Sequence, residues 1–170
     1  MSYSESISWS KIGVYSTGHL IERIHHAGLS EDGRFCFIAS FEEEIYLVWD
    51  IRETKPIWVE DGEQITPDHP DLQDWINNGY IEIDEGPAAG RYRIFGLFHN
   101  YPLSQFGETA IKIDKGSQEV ILTDASTGHV LQRLRYEASS GDWAFASFSD
   151  NGSVIAAVEP YYVTFFGRQN

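Results

Sequence analysis

The 170-residue chain has one cysteine, Cys36, so it can form no internal disulfide and no multi-cysteine zinc site. Cys36 falls in the apolar run Arg34 to Ser40, where a buried, inert thiol is expected. No apolar run approaches the ~20 residues of a membrane span. The opening MSYSESISWSK lacks the apolar centre of a secretory signal. These absences lead to the expectation of a soluble, cytoplasmic protein. Positive charge is scarce as well. No Lys or Arg occurs from Pro56 to Gly90. Nucleic acids and anionic membranes, which both demand cations, are therefore not expected partners.

Catalytic signatures are also missing. There is no Gly-x-Ser-x-Gly, no His-Glu-x-x-His and no dinucleotide-binding fingerprint. Gly86-Pro87-Ala88-Ala89-Gly90 lacks the Lys-Ser/Thr pair of a phosphate loop and reads as a turn. His25 and His26 are adjacent, so in a strand they point to opposite faces and share no metal. Glu42-Glu43-Glu44 reads as a solvated hairpin run. Asp61-Gly62-Glu63 and Asp84-Glu85-Gly86 do not follow calcium-loop spacing. No catalytic residue, metal ligand or cofactor is assigned, and no enzymatic activity is expected. A small hydrolase built on a carboxylate pair is the least favoured alternative, because acids are too abundant for any pair to stand out.

What is present is an internal echo. Thr17 to Ile24 reads TGHLIERI, and Thr127 to Leu134 reads TGHVLQRL. His19 and His129 occupy matching positions in it, which argues for a structural role. Each copy is followed by a hairpin-turn sequence, Ser30-Glu31-Asp32-Gly33 and Ser149-Asp150-Asn151-Gly152. Asp-Gly and Asn-Gly tolerate the positive φ that tight hairpin turns need. Apolar, β-branched runs then follow at Arg34 to Ser40 and Ser153 to Val158, and again at Ile45 to Ile51 and Tyr161 to Phe166. The pattern predicts a meander of four strands per copy, one of them directly after each Thr-Gly. Arg91 to His99 and Glu108 to Asp114 read as further strands, joined by a loop containing Pro102.

Leu29-Ser30-Glu31-Asp32-Gly33, Phe148-Ser149-Asp150-Asn151-Gly152 and Val48-Trp49-Asp50-Ile51 resemble the turn and the closing Trp-Asp of the Trp-Asp-repeat β-propeller family. Val120 to Asp124 closes a further partial copy, while the second copy ends in Val163-Thr164-Phe165-Phe166 without the Trp-Asp pair. The resemblance implies an all-β fold of propeller-like antiparallel meander repeats, three to four units in one domain over residues 1–170. A blade takes ~40–45 residues, so a closed ring of four fills such a chain entirely. An open array is the alternative, and it must protect its edges.

The segment 60–90 breaks the repeat and is acidic. From Glu42 to Glu85 there are fourteen acidic residues and two basic ones, against a net charge of -14 for the whole chain. One short helix is expected around 70–78. Pro70 suits its first position, with Asp68 or His69 as cap. Leu72, Trp75 and Ile76 form its apolar stripe, and Asn77-Asn78-Gly79 stops it. Carboxylates beside aromatics suit a cationic protein partner. The expected contact residues are Glu60, Asp61, Glu63, Asp68, Asp71, Asp74, Asp84 and Glu85, with Trp58 as an aromatic anchor. The expected function is a non-enzymatic binding module for a basic protein, similar in type, not in motif, to small bacterial immunity proteins that neutralise toxins. The alternative is a scaffold subunit that completes a propeller or homo-oligomer, its acidity serving solubility.

Overall fold

The computed structural model describes residues 8–18, 21–40, 45–61 and 72–169. They form fourteen strands and one helical turn. In chain order these are β1 (Ser8–Ser16), β2 (His26–Ser30), β3 (Phe35–Ser40), β4 (Ile45–Asp50), β5 (Lys55–Asp61), α1 (Leu72–Trp75), β6 (Tyr80–Ile83), β7 (Gly90–Gly96), β8 (Gln105–Phe106), β9 (Thr109–Asp114), β10 (Glu119–Asp124), β11 (Val130–Arg135), β12 (Phe145–Phe148), β13 (Val154–Val158) and β14 (Tyr162–Gln169). The strands make three antiparallel sheets. A central sheet has the order β1-β14-β13-β12, an outer sheet β11-β10-β9-β8, and a six-stranded sheet β5-β4-β3-β2-β7-β6.

The central sheet is covered on both faces, which explains why β13 (VIAAV) is apolar without alternation. Val154, Ala156 and Val158 pack against Cys36, Ile38 and Leu47 of the six-stranded sheet. Ile155 and Ala157 pack against Ile111, Val120 and Leu122 of the outer sheet. Cys36 is fully buried in the first of these layers, and its burial pushes the thiol up to about 12, so it is inert. The far face of the six-stranded sheet carries a third apolar layer containing Phe37, Tyr46, Val48, Ile81, Tyr92 and Ile94. The protein is thus all-β and antiparallel, and no closed propeller ring forms among the described residues.

The two hairpin turns are built alike. In the first, the Gly33 N–H donates to Ser30 O (3.0 Å), Ser30 Oγ bonds Asp32 Oδ1 (2.8 Å), and Phe35 N donates to Ser30 Oγ (2.9 Å). In the second, Gly152 N donates to Ser149 O (2.9 Å), Ser149 Oγ bonds Asn151 Oδ1 (2.9 Å), and Val154 N donates to Ser149 Oγ (3.1 Å). Gly33 and Gly152 have φ of 73° and 74°, which glycine adopts without cost. The turns also touch: Asn151 N donates to Glu31 O (3.0 Å) and Ser153 Oγ to Asp32 O (3.2 Å).

The Thr-Gly echo, in contrast, does not fold twice the same way. After Thr127-Gly128 the chain enters β11 as expected, but after Thr17-Gly18 no strand follows before β2 among the described residues. Ile21 and Ile24 are fully buried there, in the core between the central and six-stranded sheets. The chain is crossing between sheets, and Ile24 N donates to Pro160 O (2.7 Å) instead of joining a ladder. His19 lies outside the described residues, as do the Glu42-Glu43-Glu44 run and Asp68, His69 and Pro70. The helix expected around 70–78 is the single turn α1, stopped by Asn78 (φ 54°) and Gly79 (φ 84°). Arg91 to His99 pairs as a strand to Gly96 and no further.

Candidate functional site

Between β5 and β6, α1 lays one tryptophan across the six-stranded sheet. The Trp75 ring meets Phe37 edge-on at 5.6 Å, Tyr46 at 6.0 Å and Trp58 at 6.2 Å. Its indole N–H donates to Glu82 O (3.0 Å). One side chain therefore touches β3, β4, β5 and β6, so the sheet curls around it as a half-barrel. Trp75 and Trp58 are both half-buried, at the rim of the apolar layer.

Beside this rim lies a polar cavity of about 310 Å³, lined by Trp75, Asn77, Tyr80, Glu82, Asp84 and Arg91 among others. The Arg91 guanidinium sits over the Tyr80 ring at 3.6 Å and lies 3.8 Å from Glu31 and 3.9 Å from Glu82. These long separations leave it a partly exposed, loosely paired cation. Arg93 is held more tightly, 2.7 Å from Asp150, and it also donates to the Tyr80 hydroxyl and to Tyr101 O (3.1 Å). Tyr80 in turn donates to Asp150 Oδ2 (3.0 Å). Burial raises the Tyr80 hydroxyl above its ordinary value, and the bond to Asp150 adds to this. The cluster clamps the six-stranded sheet to the second hairpin turn.

The sequence-derived contact residues divide into two sets. Asp74, Asp84 and Glu85 are exposed and make no ion pair among the described residues. Asp84 lines the cavity that Trp75 lines, and Asp74 is the chain neighbour of Trp75. Trp58 touches Trp75, and Glu85 is the chain neighbour of Asp84. Glu60 and Asp61 place their backbone at the end of edge strand β5, paired with Tyr46 and Ile45. Their side chains, and Glu63, Asp68 and Asp71 altogether, lie outside the described residues.

Sequence reasoning missed Tyr80, Arg91, Arg93 and Asp150. Arg91 and Arg93 share a strand face at spacing two, a signal that was present. Asp150 is 57 positions away from Arg93, and nothing in the sequence joins them. His26 is packed as a structural residue. Its Nε2 accepts from Phe98 N (3.2 Å) and His99 N (3.1 Å). Burial, with the nearby His99 and His25, drops it to about 3, so it stays neutral. No group of three or more potential ligands that could hold a metal ion occurs among the described residues. No helix among them is long and apolar enough to cross a membrane. A scan against protein-family models finds no match, and a search of curated proteins finds no relative.

Proposed function

We propose that this protein is a non-enzymatic binding module that receives a basic protein partner on the acidic rim of its half-barrel. One observation carries the reading: Asp84 on the Trp75 cavity, its chain neighbour Glu85, and Asp74 beside Trp75 are exposed and make no ion pair among the described residues, although Arg91 lines the same cavity. Carboxylates in excess of cations steer basic partners and give a fast, salt-sensitive encounter. The half-exposed Trp58 supplies an aromatic anchor of the kind that dominates interface energetics. In its most specific form the protein is an immunity or inhibitor protein that covers the active site of a cationic toxin or nuclease, its carboxylates standing where substrate phosphates would be. The test is affinity capture at low salt, comparing wild type with the D74N/D84N/E85Q variant. A basic protein retained by the wild type and lost by the variant supports the reading. Equal retention refutes the rim as the contact surface.

A second reading is a scaffold subunit whose propeller-like sheets complete a ring with another copy or chain. It draws on the three blade-like sheets and on the pairing of β1 with β14, which joins the first and last described strands. Sedimentation decides between them. A stable oligomer that leaves Asp74, Asp84 and Glu85 exposed favours the scaffold, and a monomer favours the binding module.

A further inference from the structure

The three sheets end in six edge strands, and an open edge offers its main chain to any strand that can pair with it. Four of the edges are closed or too short. On β1, the Gln132 side chain donates to Trp9 O (2.7 Å) and accepts from Trp9 N (3.0 Å), and a bulge between Lys11 and Gly13 interrupts the rest. On β12, Phe148 N donates to Leu103 O (2.9 Å). β8 has two residues. On β6, Tyr80 exchanges main-chain bonds with Asn77, and Glu82 O accepts the Trp75 indole N–H. β11 and β5 are left. β11 carries Arg133 and Arg135, both exposed, and these repel a basic partner.

The phase of the ladders shows which groups β5 leaves open. Ile51 N donates to Arg34 O (3.0 Å), in register with the Phe35–Asp50 pair. Hydrogen-bonded and non-hydrogen-bonded pairs alternate along an antiparallel ladder. Trp49, Leu47 and Ile45 therefore turn their main chain to β3, and Asp50, Val48 and Tyr46 turn theirs to β5. The bonded residues of β5 are then Lys55, Trp58 and Glu60, and Pro56, Val59 and Asp61 face the open edge. Pro56 has no N–H to present, which suits that position. Val59 and Asp61 each present an N–H and a C=O with no main-chain partner among the described residues.

The two faces of this edge differ. Trp58 packs on Trp75, so its face adjoins Asp74 and the cavity that Asp84 lines. Val59 lies on the other face and is 42% exposed. In an antiparallel strand added here, the residue opposite Val59 directs its N–H to β5 and its side chain to the Val59 face. Its neighbours direct their N–H away from β5 and their side chains to the Trp58 face. We propose that the partner of the acidic rim docks by adding an extended strand to β5, with apolar side chains beside Val59 and Lys or Arg on the Trp58 face. This rests on the reading of the rim as a docking surface for a basic protein.

The probe is an acetylated, amidated peptide of eight alternating Lys and Val residues, titrated at low ionic strength. N-methylation of its valines should weaken binding at least about tenfold, because it removes the N–H groups that face β5. N-methylation of its lysines should leave affinity nearly unchanged. In the protein alone, the Val59 amide should exchange with deuterium faster than that of Trp58, and saturating peptide should slow it at least about tenfold. Val59→Pro removes an N–H that β4 does not use, so it should fold normally and bind at least about tenfold more weakly. Equal affinity of the two methylated peptides, no binding of the parent peptide, or unchanged Val59 exchange at saturation overturns strand addition. Each does so whether or not D74N/D84N/E85Q weakens the peptide, which tests the rim separately. Val59 protection that grows with protein concentration in the absence of peptide would assign the edge to a second copy and overturn the choice of partner.

Discussion

His26 shows how a single buried side chain sets a pH limit. Its pKa falls from 6.5 to about 3, chiefly because burial disfavours the cation. The folded state therefore binds fewer protons than the unfolded chain between those values. The stability that depends on neutral His26 is fully present above pH 6.5 and is lost progressively as pH falls towards 3. A tenfold change in proton affinity is equivalent to ~1.4 kcal/mol, so a loss on the order of a few kcal/mol is expected across this window. Denaturant melts from pH 7 to pH 4 check it. His26→Gln should be less stable at neutral pH yet lose less on acidification, and an equally steep profile in that variant would refute the assignment. Gly33 makes a different kind of demand. Its φ is 73°, and a Cβ there would lie 2.5 Å from Ser153 Oγ and 2.9 Å from Val154 Cγ2. Gly33→Ala should cost about 1–3 kcal/mol, read from the midpoint of chemical unfolding.

Among the elements, α1 is the smallest helix-like piece and one of the most consequential. Trp75 is what the six-stranded sheet curls around, although it belongs to a four-residue helix. Trp75→Ala should destabilise by about 3 kcal/mol, the lower part of the range for large aromatic truncations because the ring is half-buried. Trp75→Phe retains most of the packing and should lose about 1 kcal/mol with the bond to Glu82 O. Equal losses in the two variants, measured by denaturant unfolding, would show that the ring does not fill the half-barrel.

At this scale the sequence was readable where the cause is local. The two Ser-Asp-Gly and Ser-Asn-Gly turns close through bonds spanning at most five residues, and they fold as expected. The stop at Asn78-Gly79 is equally local. The Thr-Gly echo misled because its second half answers to burial. Leu134 points into the core from a paired strand, whereas Ile21 and Ile24 enter a different core from unpaired chain. The placement of β7 beside β2, and of β1 beside β14, depends on contacts between distant segments that no local pattern carries. The same holds for the Arg93–Asp150 clamp, whose partners lie 57 positions apart, so neither its cation nor its acid was legible, whereas Asp74, Asp84, Glu85 and Trp58 were named from local composition alone.

For the whole molecule, charge is the dominant property. A net charge of -14 on 170 residues means that the folded chain repels itself. Added monovalent salt should raise the thermal midpoint, since screening relieves that repulsion over a Debye length of ~10 Å at 0.1 M. A midpoint that does not change with salt would imply that the acids are compensated within the fold.

The central claim is that Asp74, Asp84 and Glu85 steer a basic protein onto the half-barrel. The measurement that tests it most directly is the association rate of the captured partner as a function of ionic strength, for the wild type and for D74N/D84N/E85Q. A fast, steeply salt-dependent association is predicted for the wild type, with the variant slower at low salt and flatter in its salt dependence. Coincident rates for the two proteins at every ionic strength would contradict it.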